Sequence, residues 1–173
     1  MVVPWPPRPL PIPPADLDDD VRLRPPVPGD AEALAAAWAD IEVRRWLEPP
    51  TAEIEVARRW IRGEPERRAT ATALDLVIDV DGTLVGEVGF TSFDEPRRAC
   101  LLGYWLAEAA RGRGLAARAV GTATAWLRSE LGRIVIVAEC DPANTASHAV
   151  VERCGFDLLA ADHGGKRVYV DRA

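Results

Sequence analysis

Arg111-Gly112-Arg113-Gly114-Leu115-Ala116 lies between an apolar run, Cys100 to Leu106, and a stretch with helical spacing, Leu115 to Leu131. A strand that passes into a helix through glycines presents bare backbone amides, and an anion can approach them closely. The first N–H groups of the helix have no partner within it and lie at the positive end of its dipole. A diphosphate would therefore be stabilised over Gly112, Gly114, Leu115 and Ala116 without a dedicated lysine, with Arg111 and Arg113 adding charge. A P-loop would end in Gly-Lys-Ser/Thr, and a dinucleotide fingerprint would carry a third glycine. Neither is present, so ATP and NAD readings weaken, and a glycine-rich turn with no ligand stays as the plain alternative.

Outward from the loop, Ala116, Val120, Ala123, Leu127 and Leu131 form one helical stripe that ends at Gly132. The β-branched run Ile134-Val135-Ile136-Val137 then predicts a buried strand over Arg133–Cys140. Asn144 opens a last helix through Cys154, and Phe156 to Ala160 with Lys166 to Val170 reads as a closing hairpin around His163-Gly164-Gly165. On the N-terminal side, Asp81-Gly82 is a tight-turn signal between Ala73–Val80 and Leu84–Phe90, and Cys100 to Leu106 adds a third strand to that meander. Val21-Arg22-Leu23-Arg24 alternates as a short first strand. Two helices follow it, one capped by Asp30 and one by Thr51. The pattern predicts an α+β fold with a mixed sheet of about seven strands and about four helices.

At 173 residues the chain fits one domain with a sizeable core. Seven of the eleven residues from Pro4 to Pro14 are proline, which predicts an arm over residues 1–20 with Trp5 favouring its docking, ahead of a domain over 21–173. A net charge of −6 argues against nucleic acid as the main partner and suits an amine-bearing acceptor. Three cysteines, Cys100, Cys140 and Cys154, make no disulfide framework, and no apolar run is long enough to cross a membrane, so the expected location is cytoplasmic. His148 and His163 are lone histidines without metal-ligand spacing, so no metal is expected.

The loop resembles the Gln/Arg-x-x-Gly-x-Gly/Ala signature of the GNAT (GCN5-related N-acetyltransferase) family, filled here by Arg111, Gly114 and Ala116. Asn144 to Phe156 resembles that family's second element, Asn-x-x-Ser followed by Gly-Phe. The likeness runs from about Val21 to Val170. Leu23-Arg24-Pro25 and Val43-Arg44-Arg45-Trp46-Leu47 look like the branch of the ribosomal-protein N-terminal acetyltransferases. It implies the GNAT fold, with the fourth and fifth strands splayed in the middle of the sheet. It also implies acetyl-CoA as co-substrate, and direct acetyl transfer to a primary amine on a small molecule or a peptide N-terminus. Relatives are often monomers or homodimers.

Within that resemblance a backbone amide near Leu106 is the oxyanion donor. Glu139, five residues before Asn144, matches the spacing of a catalytic base in one N-terminal acetyltransferase group, and Glu87 is a second candidate. The tyrosine that many relatives use to protonate the thiolate falls here on Val151, so Ser147 takes that role, and Asn144 binds pantetheine or the loop. Trp46, Trp105, Tyr104 and Phe93 are candidates to line the acceptor site. A domain that binds CoA as a sensor without catalysis is the alternative from another class.

Overall fold

The computed structural model describes residues 5–14, 18 and 21–171. Seven strands form one sheet: β1 (Arg22–Arg24), β2 (Ala73–Val80), β3 (Thr83–Asp94), β4 (Ala99–Leu106), β5 (Val135–Cys140), β6 (Asp157–His163) and β7 (Lys166–Asp171), in the order β1-β2-β3-β4-β5-β7-β6. The pairing is antiparallel throughout except between β4 and β5, which are parallel. The β2–β3 turn puts both Asp81 (φ 52°) and Gly82 (φ 80°) in the left-handed region, as a two-residue hairpin turn requires. β7 returns between β5 and β6, which leaves β6 on the edge.

Among the described residues six α-helices flank the sheet: α1 (Ala31–Ala39), α2 (Ile41–Trp46), α3 (Ile54–Arg62), α4 (Glu64–Ala69), α5 (Leu115–Leu131) and α6 (Thr145–Arg153). The two helices expected early in the chain are each divided. Asp40 takes an extended conformation after α1, and its carboxylate accepts from the Glu42 amide to start α2. Gly63 ends α3, and Pro65 sits in the first turn of α4, where its missing N–H costs nothing. Neither expected cap works through its side chain. Asp30 is held instead by Arg24, with Nη1–Oδ2 2.8 Å and Nη2–Oδ1 2.9 Å, while Glu53 rather than Thr51 precedes α3.

Period-two alternation gives the sheet two unlike faces. Leu74, Leu76, Ile78, Val88, Phe90 and Leu102 meet Val120, Ala123, Trp126 and Leu127 of α5 in the main core. On the other face Leu34, Ala35 and Trp38 of α1 pack with Ala57 and Ile61 of α3, and Trp105 reaches them from β4. Arg24 fixes this second layer to the sheet by also pairing with Asp79 of β2 at 2.6 Å. The proline-rich segment lies along the domain and enters its core. Trp5 and Leu10 are buried there, Trp5 meets Phe93 edge-on at 6.2 Å, and the Leu10 amide donates to the Arg68 carbonyl. Truncating a buried side chain of this size costs about 3–5 kcal/mol, so the segment contributes to the stability of the domain.

Candidate active site

Gly112 (φ 73°) and Gly114 (φ 76°) both occupy the left-handed region, and Gly114 is the residue from which α5 starts. No side chain caps that end, and there is no acidic residue in the first turn, so the leading amides of α5 face outward with their dipole intact. A side chain on either glycine would project into open space rather than into protein. The loop is a cradle that substitution would fill. Arg111 turns away from it. Its Nε donates to the Leu106 carbonyl at 3.0 Å and its Nη2 pairs with Asp40, so this residue ties the loop to the end of β4 and to the start of α2. Arg113 stays exposed.

β4 and β5 are in register only from Ala99↔Val135 to Leu102↔Ala138. Beyond that point β4 remains paired with β3 as far as Leu106, and β5 remains paired with β7 as far as Cys140. The facing edges of Gly103–Leu106 and Glu139–Cys140 are therefore apart. The Ala107 amide donates to the Val85 carbonyl, and alternation along an antiparallel ladder then turns the peptide groups of Tyr104 and Leu106 away from β3, into the gap. A cavity of about 440 Å³ occupies it, bounded by Gly112, Gly114 and Ala116 at one end and by Asn144 and Ser147 alongside. The Asn144 carboxamide accepts from the Ser147 amide at 3.1 Å, which fixes the first turn of α6 against this cavity. The Tyr104 hydroxyl donates to the Ser147 carbonyl at 3.1 Å from across the gap. Cys140 also borders the cavity, and burial pushes its thiol up to about 11.

A second cavity of about 370 Å³ lies on the α1–α3 face and shares Val43, Leu47, Gly103, Tyr104 and Trp105 with the first. Its walls carry Trp38, Trp60 and Trp105, and its floor is the cross-strand pair Gly89↔Gly103, where two missing side chains make a trench. Glu87 stands beside that trench, with Oε2 accepting from the Trp105 indole at 2.9 Å. Burial, and then the charge of Asp75, push its carboxyl up to about 7, while the indole and Arg67 pull the other way. Asp75 is itself paired with Arg67 at 2.8 Å, and the Arg67 guanidinium stacks 4.6 Å over Trp60.

The structure brings Leu106, Arg111, Gly112, Gly114, Leu115, Ala116, Glu139, Asn144 and Ser147 to the first cavity, while Arg113 is not on its wall. Glu139 alternates with Ala138, which faces the main core, so it points to the same sheet face as Glu87 from the far side of the gap and is exposed. Glu87 is the better enclosed of the two. Among the aromatic candidates, Trp105 and Tyr104 border both cavities and Trp46 the first. Phe93 borders neither, because a register break at Thr91/Asp94 sends it to Trp5. Trp38, Trp60 and Asp75 were not legible as site residues, since only the sheet and two separate helices bring them together. His148 is buried as a brace, its Nδ1 3.0 Å from the Tyr169 hydroxyl.

The family pattern described as the acetyltransferase (GNAT) domain matches residues 20–157. This chain belongs to that family. It is therefore an acyltransferase, and its splayed seven-stranded mixed sheet is the GNAT fold. The chain is 28% identical over 147 residues to the Bacillus subtilis (strain 168) protein called "Putative ribosomal N-acetyltransferase YdaF", covering 81% of this chain and 79% of that one. In structure it is similar to the microcin C7 self-immunity acetyltransferase MccE, solved with acetyl-CoA and AMP. The TM-score is 0.79 at 22% identity, over 94% of this chain and 98% of that one. It is similar also to RimL, a ribosomal L7/L12 alpha-N-protein acetyltransferase, with a TM-score of 0.78 at 22% identity over 94% and 95% of the two chains.

Proposed function

We propose that this GNAT acetyltransferase binds acetyl-CoA in the first cavity and moves the acetyl group directly to a primary amine held in the second. The observation that carries this reading is that the two cavities meet at Gly103–Trp105, where β4 parts from β5. The residues fit the co-substrate at three places. The amides at Gly112–Ala116 would hold the pyrophosphate, the open edges of β4 and β5 would take up the peptide-like groups of pantetheine, and the gap would place the thioester beside the junction. MccE, solved with acetyl-CoA, supports the choice of co-substrate. A microcin immunity enzyme and a ribosomal-protein enzyme among the similar structures support an acceptor that is a small amine or a peptide N-terminus.

In this reading the Leu106 amide, turned into the gap, donates to the thioester oxygen as it gathers charge. Glu87 removes a proton from the incoming ammonium, for which a carboxyl near 7 is matched to neutral pH. Glu139, exposed across the gap, passes protons between the junction and solvent, and serves as the base if Glu87 does not. The Ser147 hydroxyl relays to the departing sulfur the proton that the attached nitrogen sheds as the tetrahedral intermediate collapses to amide and thiol. No acyl-enzyme is needed, because Cys140, the thiol on the cavity wall, is held protonated at neutral pH. Initial rates at varied acetyl-CoA and amine should give intersecting lines. Parallel lines, or thiol release that ignores the acceptor, would overturn direct transfer, and acetyl-CoA binding with no acceptor-dependent release would favour the sensing module.

A further inference from the structure

The second cavity has a chemical character of its own, apart from its place beside the gap. Three indoles, those of Trp38, Trp60 and Trp105, share its wall with three carboxylates, those of Glu48, Asp75 and Glu87. Among the described residues no lysine or arginine borders it. The basic group behind the wall is Arg67, whose Nε is committed to Asp75, whose Nη1 donates to the Trp60 carbonyl at 3.0 Å and whose Nη2 is buried without a hydrogen-bond partner among the described residues. Trp38 and Trp60 meet edge-on at 5.9 Å, and the faces of such rings attract cations while their bulk accepts apolar groups. The Gly89↔Gly103 trench leaves room directly in front of the Glu87 carboxylate, since a side-chain carbon at Gly89 would sit 3.6 Å from Oε1.

We infer that this cavity selects a primary ammonium attached to an apolar or aromatic body, with no anionic group next to the amine. The inference rests on the acetyltransfer reading above only for what happens to the amine once bound. An α-carboxylate or phosphate beside the amine would meet the carboxyls of Glu48 and Glu87 with no lysine or arginine on the wall to offset its lost hydration, the Arg67 charge being paired with Asp75. Like charges facing each other across an interface are strongly disfavoured. Free amino acids are thereby excluded, whereas their amides, arylalkylamines and peptide N-termini keep the ammonium and remove the conflict.

The test is a titration followed by tryptophan fluorescence and by calorimetry, with no acetyl-CoA present. Its ligands are phenylalaninamide, phenethylamine, a seven-residue peptide with N-terminal phenylalanine, and free phenylalanine. The first three should bind at least about tenfold more tightly than the free amino acid. With all three above that threshold, the tighter of phenethylamine and the peptide identifies the acceptor as a small molecule or a peptide. Gly89→Leu, which fills the trench away from the first cavity, should abolish amine binding while acetyl-CoA affinity stays within about twofold. Glu48→Lys, at the exposed rim, should narrow the gap between phenylalaninamide and phenylalanine by about tenfold and serves if Gly89→Leu does not fold. Equal or tighter binding of free phenylalanine, or amine binding that survives Gly89→Leu, would overturn the inference. If the amines bind as stated but acetyl-CoA gives no acetylated product, the cavity assignment stands and acetyl transfer falls. If acetylated product forms in the Gly89→Leu variant, transfer stands and this cavity is not its acceptor site.

Discussion

The two cavities that meet at Gly103–Trp105 are built from different material. The first is made of backbone: the amides that open α5, two glycines in the left-handed region, and the strand edges that β4 and β5 leave unpaired. The second is made of side chains from six separate elements, with tryptophans on α1, α3 and β4 and carboxylates on β2, on β3 and just after α2. A backbone site suits a co-substrate that is always the same, because it depends on geometry and tolerates change in side chains. A side-chain site can be altered one residue at a time without disturbing the sheet. Substitutions should therefore separate the two cleanly, with loss of co-substrate affinity on one side and loss of turnover on the other.

The largest expected effect on the backbone side is from Gly114→Glu. A non-glycine residue at φ 76° costs about 1–2 kcal/mol, and the new carboxylate would occupy the place of the pyrophosphate with the same charge. Acetyl-CoA affinity by calorimetry should fall by about 100-fold or more. Retained affinity would break the assignment of this loop. On the side-chain side, Glu87→Gln should lower kcat by about 10²–10⁴ with acetyl-CoA affinity unchanged. It should also remove a limb of the pH profile. Glu87 must be ionised to accept a proton, so wild-type kcat/KM should rise with pH through about 7, and the glutamine variant should lack that rise. If Glu139→Gln instead removes the limb while Glu87→Gln retains it, the base lies on β5.

This difference in material also explains what could be read before the fold was known. Backbone sites leave a record in local spacing, so Arg111 to Ala116 and Asn144 to Ser147 were legible as short patterns, and the alternation of β2 to β4 gave the meander. The acceptor cavity leaves no such record. Trp38 and Trp60 are spaced as core residues of two helices, and nothing local tells that the sheet puts Asp75 and Glu87 beneath them. The same limit applies to Asp30, which looks like a helix cap by position. Its carboxylate is taken by Arg24 from a strand six residues earlier, where a two-pronged ion pair outcompetes a single amide. Phe93 was lost to the acceptor site through a register break, and bulges have no reliable spacing signal.

Ser147→Ala sits between the two classes, because the residue reaches the first cavity from α6 yet its proposed role is in turnover. Loss of one hydroxyl donor, replaceable by water, should reduce kcat by about 10- to 100-fold and leave KM for acetyl-CoA nearly unchanged. Asn144→Ala should behave differently. It removes the cap that accepts from the Ser147 amide, which costs about 1 kcal/mol of stability, and it loosens the turn that carries the serine. A kcat defect in Ser147→Ala without a change in melting temperature, beside a defect in both for Asn144→Ala, would separate chemistry from positioning.

The last expected effect is on stability alone, and it links the acceptor cavity back to the fold. The Glu87 carboxyl titrates near 7 in the folded protein against 4.5 for the ordinary side chain, so the folded state holds its proton more tightly than the unfolded state does. Stability contributed by the protonated carboxyl is then fully present below about 4.5 and is lost as pH rises towards 7, because the ionised form is held in a poorly hydrated site. With solvent reaching the carboxylate through the cavity, the loss is on the order of 1–2 kcal/mol, or a few degrees in melting temperature. Glu87→Gln keeps the shape and removes the charge, so it should match the wild type near pH 4.5 and melt higher than it above pH 7. A variant that loses turnover yet gains stability in the same pH range would show that Glu87 is maintained at a cost to the fold, as a functional carboxylate is. Equal melting temperatures across that range would mean that the site hydrates Glu87 well, and the case for it as the base would then rest on position alone.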